Sequence, residues 1–324
     1  MEIYQHTLKK SVSFCGIGLH TGAPVELTIS PAPANSGIRF KFKGNDDSMP
    51  AYMNSVVDTR LATTIASHGM VFSTTEHLLG ALAGLGIDNA LVELDAPELP
   101  IMDGSAGPFV HILKKASRKE QKASRRVLKI TEEICYREGD KDIRILPHDG
   151  LKFTCNIDFD HEFVKSQTYT FELSPEAFVN EIASARTFGF IEQVEMLQQN
   201  GYALGGSLDN AVVIDRNGVI NEDGLRFNDE FVRHKILDLI GDLALLGCPM
   251  FGHVIASKSG HSQHLGLMKE IAAHPEKWQI VELQKNGESC ILEKIVNTTK
   301  SARNMLLPFL IPPADFPGSC PAVV

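Results

Sequence analysis

What this chain lacks narrows its class before any motif is read. Its six cysteines (Cys15, Cys135, Cys155, Cys248, Cys290 and Cys320) contain no C-x-x-C pair, which excludes a disulfide framework and a thiolate zinc knuckle. Free thiols in a reducing compartment account for them better. The opening MEIYQHTLKKS has no apolar signal core, and no apolar run reaches membrane-spanning length, so a cytoplasmic protein without a transmembrane segment is expected. Cationic excess is missing too. The 324 residues carry a formal net charge of -9, which argues against a general nucleic-acid binder but leaves room for a local basic pocket holding a phosphorylated small molecule. No internal repeat is visible. What is present is a globular composition, 43% hydrophobic and 22% charged, in a chain long enough for two domains.

The apolar pattern mixes strands and helices. Val25–Ser30 and Ile38–Phe42 alternate apolar and polar residues, between turns rich in Pro, Asn and Gly. The segment GIGLHTG (16–22) lets the backbone turn tightly around His20, a position where a structural hydrogen-bonder is the commoner outcome. A helix is predicted from about Thr74 to Leu85, a strand over Ala90–Leu94, and a second helix from about Gly107. The basic stretch KKASRKEQKASRRVLK (114–129) reads as a solvated helix end and linker, the best candidate for a domain boundary. Strands then resume at Val127–Thr131, Ile143–Pro147 and Leu151–Phe159. Ser174 is placed to cap a helix opened by Pro175, and Ile191–Gln199 is helical.

The chemistry gathers in RFNDEFVRHKILDLIGD (226–242), whose apolar residues recur at amphipathic-helix spacing. Residues four apart share a helix face, so His234 stands beside Asp238 and Asp238 beside Asp242. An imidazole and a carboxylate one turn apart are two good zinc ligands; a hydrogen-bonded pair on a solvated face is the plainer alternative. Ser73-Thr-Thr-Glu76-His77 offers a third ligand in His77, with Glu76 beside it to activate water. Ser73 and Glu76 also fit a capping box, which would use the carboxylate structurally.

GIGLHTG, TTEHLLGALAGLGIDN, PIMDGSAGPF, ARTFGF, LGGSLDNAVV, NEDGLRFNDEFVRHKILDLIGDL and KSGH follow one another in the order found in a known family. Over roughly residues 3 to 283 the chain closely resembles the UDP-3-O-acyl-N-acetylglucosamine deacetylases, zinc enzymes of the committed step of lipid A synthesis. The resemblance implies an α+β fold of two domains of like topology, 1–124 and 125–283, with helices sandwiched between two sheets. It implies Zn2+ held by His77, His234 and Asp238, with Glu76 as general base and His261 (in KSGH) as general acid. Thr187 in ARTFGF would help hold the oxyanion, and Asp242 would orient and charge-stabilise the catalytic histidine. Lys235, Phe188, Lys258, Lys141, Phe159 and His20 fall on substrate-contacting positions. For Lys141 and Phe159 a surface lysine and a core phenylalanine are the plainer alternatives.

The implied partner is a small molecule, acylated UDP-N-acetylglucosamine, and a monomer is expected, close to the membrane only through its acyl substrate. A strand–helix–strand insert near 188–213 would form the acyl passage, with Phe188, Phe190, Ile191, Val194 and Leu204 as candidate lining. Residues 284–324 match nothing in the family. Two rival functions fit the same residues: a zinc amidohydrolase for another acylated sugar nucleotide, and a non-catalytic, zinc-stabilised sugar-nucleotide binding protein. The second has no use for an acid and a base.

Overall fold

Alternating apolar residues set the two large sheets. A computed structural model describes residues 2–286 and 290–297, with side chains from 2 to 284. Val25, Leu27 and Ile29 of the strand Pro24–Pro31 turn to one buried face, as do Ala90, Val92 and Leu94 of Ala90–Leu94. These strands belong to a five-stranded sheet in the order Val12–Ile17, Pro24–Pro31, Ala90–Leu94, Ile38–Phe42, Met49–Pro50. An eight-stranded sheet is built entirely from residues after 125. Its centre is Met250–Ser257, flanked by Lys141–Leu146 and by Leu151–Asp158, on which Phe153, Cys155 and Ile157 are buried.

The helices are α1 (Glu76–Gly84), α2 (Gly107–Ala116), α3 (Pro175–Ala177), α4 (Ile191–Gln199), α5 (Glu230–Leu243) and α6 (His261–Ala273). Helix α1 packs on α5, and α5 in turn packs on Leu151–Asp158. One apolar cluster runs through both sheets and both helices. The fold is thus α+β. Ser174 caps α3 as expected, its hydroxyl accepting from the Ala177 N–H at 3.1 Å.

Two expectations change. Helix α5 is not amphipathic in the ordinary sense: of its fourteen residues only Arg233 and Lys235 are even partly exposed. Its polar stripe faces a protein interior because a helix lies on one side and a sheet on the other. The basic stretch begins as the expected helix end, with Lys114 and Lys115 in the last turn of α2, but its later part is not a linker. Arg118–Ser124 forms a strand antiparallel to Tyr4–Leu8, and two of its long polar side chains find fixed partners. Arg118 donates to Glu2 and to the Leu85 carbonyl, and Gln121 to the Ala32 carbonyl.

The ARTFGF segment leads into a small sheet. Phe188–Phe190 runs parallel to Val212–Asp215, with α4 connecting them. The strand Trp278–Asn286 runs through Gln284 and pairs antiparallel with Cys290–Asn297 at the edge of the large sheet. The rest of the 284–324 tail lies outside the described residues.

The closest approach in the core is between α1 and α5. A Cβ on Gly241 would stand 2.0 Å from the Glu76 carbonyl oxygen, and one on Gly80 would stand 2.8 Å from Leu237 Cδ1. Backbone cannot yield as a side-chain tip can. Gly241→Ala is therefore expected to cost at least about 2–3 kcal/mol despite the better helix propensity of alanine. Gly80→Ala should cost less, because Leu237 can change rotamer. Denaturant unfolding of both variants checks the order, and equal losses would contradict it.

Candidate active site

The α1–α5 contact brings distant residues into one buried group. His77 on α1 and His234 and Asp238 on α5 place their ligand-capable atoms within 4.8 Å of one another. His77 Nε2 lies 3.6 Å from Asp238 Oδ1, and His234 Nε2 lies 3.3 Å from the same oxygen. The other Asp238 oxygen accepts from Lys235 Nζ at 2.9 Å. All three residues are buried, so the solvated-face alternative does not describe this helix.

Each ring is held in a defined way. His234 Nδ1 is 3.1 Å from the Ala185 carbonyl, which leaves Nε2 facing Asp238. Burial pushes the His234 imidazolium down to about 3 despite Asp238, so the ring is neutral and has a lone pair to offer. Burial opposes ionisation of Asp238, but the Lys235 ammonium bonded to it outweighs that cost and holds the carboxyl well below its usual range. His77 keeps Nδ1 buried without a protein partner.

Glu76 does not cap its helix. Its Oε2 accepts from the Thr63 N–H at 3.1 Å, and Oε1 is 3.8 Å from His261 Nε2. Burial raises its pKa against the pull of His261 and His77. His261, the first residue of α6, has Nδ1 2.7 Å from Asp242 Oδ2. Burial disfavours its charged form, yet Asp242, Glu76 and Asp238 together push it up to about 10. Asp242 itself sits at about 2, because His261 and His264 outweigh its burial.

The remaining candidates have contacts of their own. Thr187 is pinned by its backbone, donating to the Gly104 carbonyl and accepting from Val212 N–H, both at 2.8 Å. Phe188 lies against Phe231 and His234, and Lys235 Nζ stands 5.8 Å from the Phe188 ring centre. Phe159 packs between Phe188 and Phe190 at 5.7 and 5.6 Å. Lys258 bonds to Asp140 and Asp158, and the pairing of Asp142 with Ser257 puts the exposed Lys141 at the same strand end. His20 stays apart from the histidine–carboxylate group. Its loop docks on the insert, where its carbonyl accepts from Leu204 N–H and its ring meets Tyr202 edge-on at 6.0 Å. Leu204 is 56% exposed there.

Sequence comparison decides the family. A profile of the LpxC family, UDP-3-O-acyl N-acetylglycosamine deacetylase, matches residues 5–273. The chain belongs to this family. Among its relatives, the UDP-3-O-acyl-N-acetylglucosamine deacetylase of Methylococcus capsulatus (strain Bath) is 49% identical over 291 residues, covering 88% of this chain and 95% of the relative. The protein of the same description from Anaeromyxobacter sp. (strain Fw109-5) is 48% identical over 284 residues, 88% of this chain and 93% of its own. That of Alcanivorax borkumensis (strain SK2) is 46% identical over 286 residues, 87% and 94%.

Two residues of this LpxC-family site escaped the sequence reading. Thr63 donates its hydroxyl to Asp242 at 2.6 Å as well as its N–H to Glu76; 179 positions separate it from Asp242, and no motif marks it. His264 donates to Asp242 at 2.7 Å. Its place three residues after His261, on the same helix face, was a usable signal.

The His261–Asp242 pair ties stability to pH. His261 is raised from 6.5 to about 10, so its contribution is complete below pH 6.5 and is lost as pH rises through about 10. Asp242 is lowered from 3.8 to about 2, so its contribution is present above pH 3.8 and lost as pH falls through about 2. In metal-free protein the melting temperature should therefore fall between pH 6.5 and 10 more steeply for wild type than for Asp242→Asn. Parallel curves would refute the assignment.

Proposed function

We propose that this protein is a zinc-dependent hydrolase that removes the N-acetyl group of UDP-3-O-(3-hydroxyacyl)-N-acetylglucosamine, the committed step of lipid A synthesis. The observation that carries the reading is the pairing of Glu76 and His261, 3.8 Å apart, beside a buried His–His–Asp set. The names of the relatives agree with the substrate. Two imidazoles and one carboxylate suit zinc and leave a position open, as catalytic rather than structural sites do. The hydrogen bond from His234 Nδ1 to a backbone carbonyl is the kind of support that orients a metal-binding ring. His77, His234 and Asp238 would hold the zinc, which would supply Lewis acidity to the acetyl carbonyl and to the attacking water.

The chain's own groups do the proton work. Glu76, its pKa raised by burial, takes the proton of the attacking water as the C–O bond forms. His261, protonated and braced by Asp242, delivers its Nε2 proton to the amine nitrogen as the C–N bond breaks. The products are acetate and the free amine. Thr187 would offer its hydroxyl to the oxyanion, and Lys235 keeps Asp238 ionised. Phe159 offers a face for uracil, and Lys258 with Lys141 the cations for the diphosphate. The Phe188–Asp215 insert would take the acyl chain. We take 1–124 and 125–283 as the two domains, and the site as lying at their junction.

Acetate release by purified protein tests the reaction. Glu76→Gln should retain zinc and lose ~10²–10⁴-fold in kcat. His234→Ala should lose zinc itself, read by metal analysis of the dialysed protein. Wild type that holds zinc yet releases no acetate would instead favour the binding-protein reading.

A further inference from the structure

Asp242 carries more than His261. Its Oδ2 lies 2.7 Å from His261 Nδ1 and 2.7 Å from His264 Nδ1, while Oδ1 accepts the Thr63 hydroxyl at 2.6 Å. A carboxyl held near 2 has no proton to give, so both ring nitrogens are the donors. His264 is 1% exposed, and burial lowers its pKa, so it is a neutral ring with its proton on Nδ1. Its Nε2, 3.2 Å from Ser259 Oγ, then accepts the serine hydroxyl. That bond fixes the tautomer from behind.

We propose that His264 is a positioning residue for the reaction: by sharing Asp242 Oδ2 with His261, it holds the carboxylate in place and draws off part of its charge, so that His261 remains able to release its proton. The inference rests on His261 being the general acid. An Asp242 bonded to His261 alone would grip the imidazolium harder and make it a poorer acid. Around His261 stand Asp242 and Asp238 from α5, Glu76 from α1 and Thr63 from the turn before Thr64–Ser67. Lys235 faces Asp238 from α5 itself. Behind α6 the strand Ile134–Glu138 presents Tyr136 to Gly266 and Glu138 to Gln263. His264 is therefore the neutral donor on α6 that tunes the Asp242–His261 pair.

The comparison is His264→Leu against His264→Asn in the zinc-loaded full chain. Asparagine places an N–H where His264 Nδ1 stands; leucine places a methyl there, and both lose the Ser259 contact equally. His264→Leu is expected to lower kcat about tenfold with KM unchanged, the scale of one weakened charge-assisted hydrogen bond. It should also move the basic limb of the pH–rate profile upward by about one unit. His264→Asn should restore both, and His264→Leu should add nothing in an Asp242→Asn background. Nitrogen-15 spectra of wild-type imidazoles give a readout independent of turnover: a neutral Nδ1–H tautomer at His264 and a His261 titration that rises in His264→Leu. An Nε2–H tautomer at His264, or leucine and asparagine variants with the same unshifted profile, would overturn the proposal, even if His264→Leu folds poorly. Wild type without acetate release, but with the expected spectra, would instead sink the reaction assignment and leave the hydrogen-bond geometry standing.

Discussion

The backbone contact between α1 and α5 is the constraint on which the site depends. With no side chain at Gly241, the Glu76 carbonyl can lie against α5, and Gly80 lets Leu237 close the next turn. That approach sets Glu76 and His77 opposite His234, Asp238 and Asp242. A helix pair at ordinary spacing, 8–10 Å between axes, would hold these groups farther apart. Small residues at this contact thus serve geometry first and packing second.

Burying so many charges is costly unless each finds a partner. Asp238 has Lys235 and two histidines, and Asp242 has two histidines and a hydroxyl. Glu76 has the Thr63 amide and faces His261. These pairings pull the site's pKa values apart: His234 stays neutral, His261 stays charged, and Glu76 is shifted towards the pH range of a working base. One fold element, α5, therefore carries a neutral ring and two firmly ionised carboxylates within three turns.

The approach is built from a second contact between distant segments. The GIGLHTG loop meets LGGS backbone to backbone, with Leu204 and Gly205 amides donating to the His20 and Leu19 carbonyls. Arg186, almost fully buried, bonds to Glu230 at the start of α5 and so fixes where ARTFGF runs past it. Thr187 and Phe188 follow directly. Phe188 and Phe190 of the small sheet that begins there meet Phe159, which follows the strand Leu151–Asp158, and Phe188 meets His234 edge-on.

Much of this was legible in residue order. Apolar alternation marked a strand over Val25–Ser30, another was read over Leu151–Phe159, helical spacing put His234, Asp238 and Asp242 on one stripe, and Ser174-Pro175 marked a helix start. These signals are local, arising within one or two turns or one strand. What the residue order did not disclose depends on partners far along the chain. The stripe on α5 looked solvated because nothing in 226–242 reveals that α1 covers it. Glu76 looked like a cap because its real acceptor role is towards Thr63, brought in by a different turn. The basic stretch looked like a linker because its pairing partner, Tyr4–Leu8, lies over a hundred residues away. Thr63 became visible only once it was seen on Asp242, and the helix face that His264 shares with His261 gained its meaning there. Sequence by itself determined the elements and the ligand-bearing stripe. Only tertiary structure decided which charges share a carboxylate, because burial and hydrogen-bond partnership belong to the packed chain.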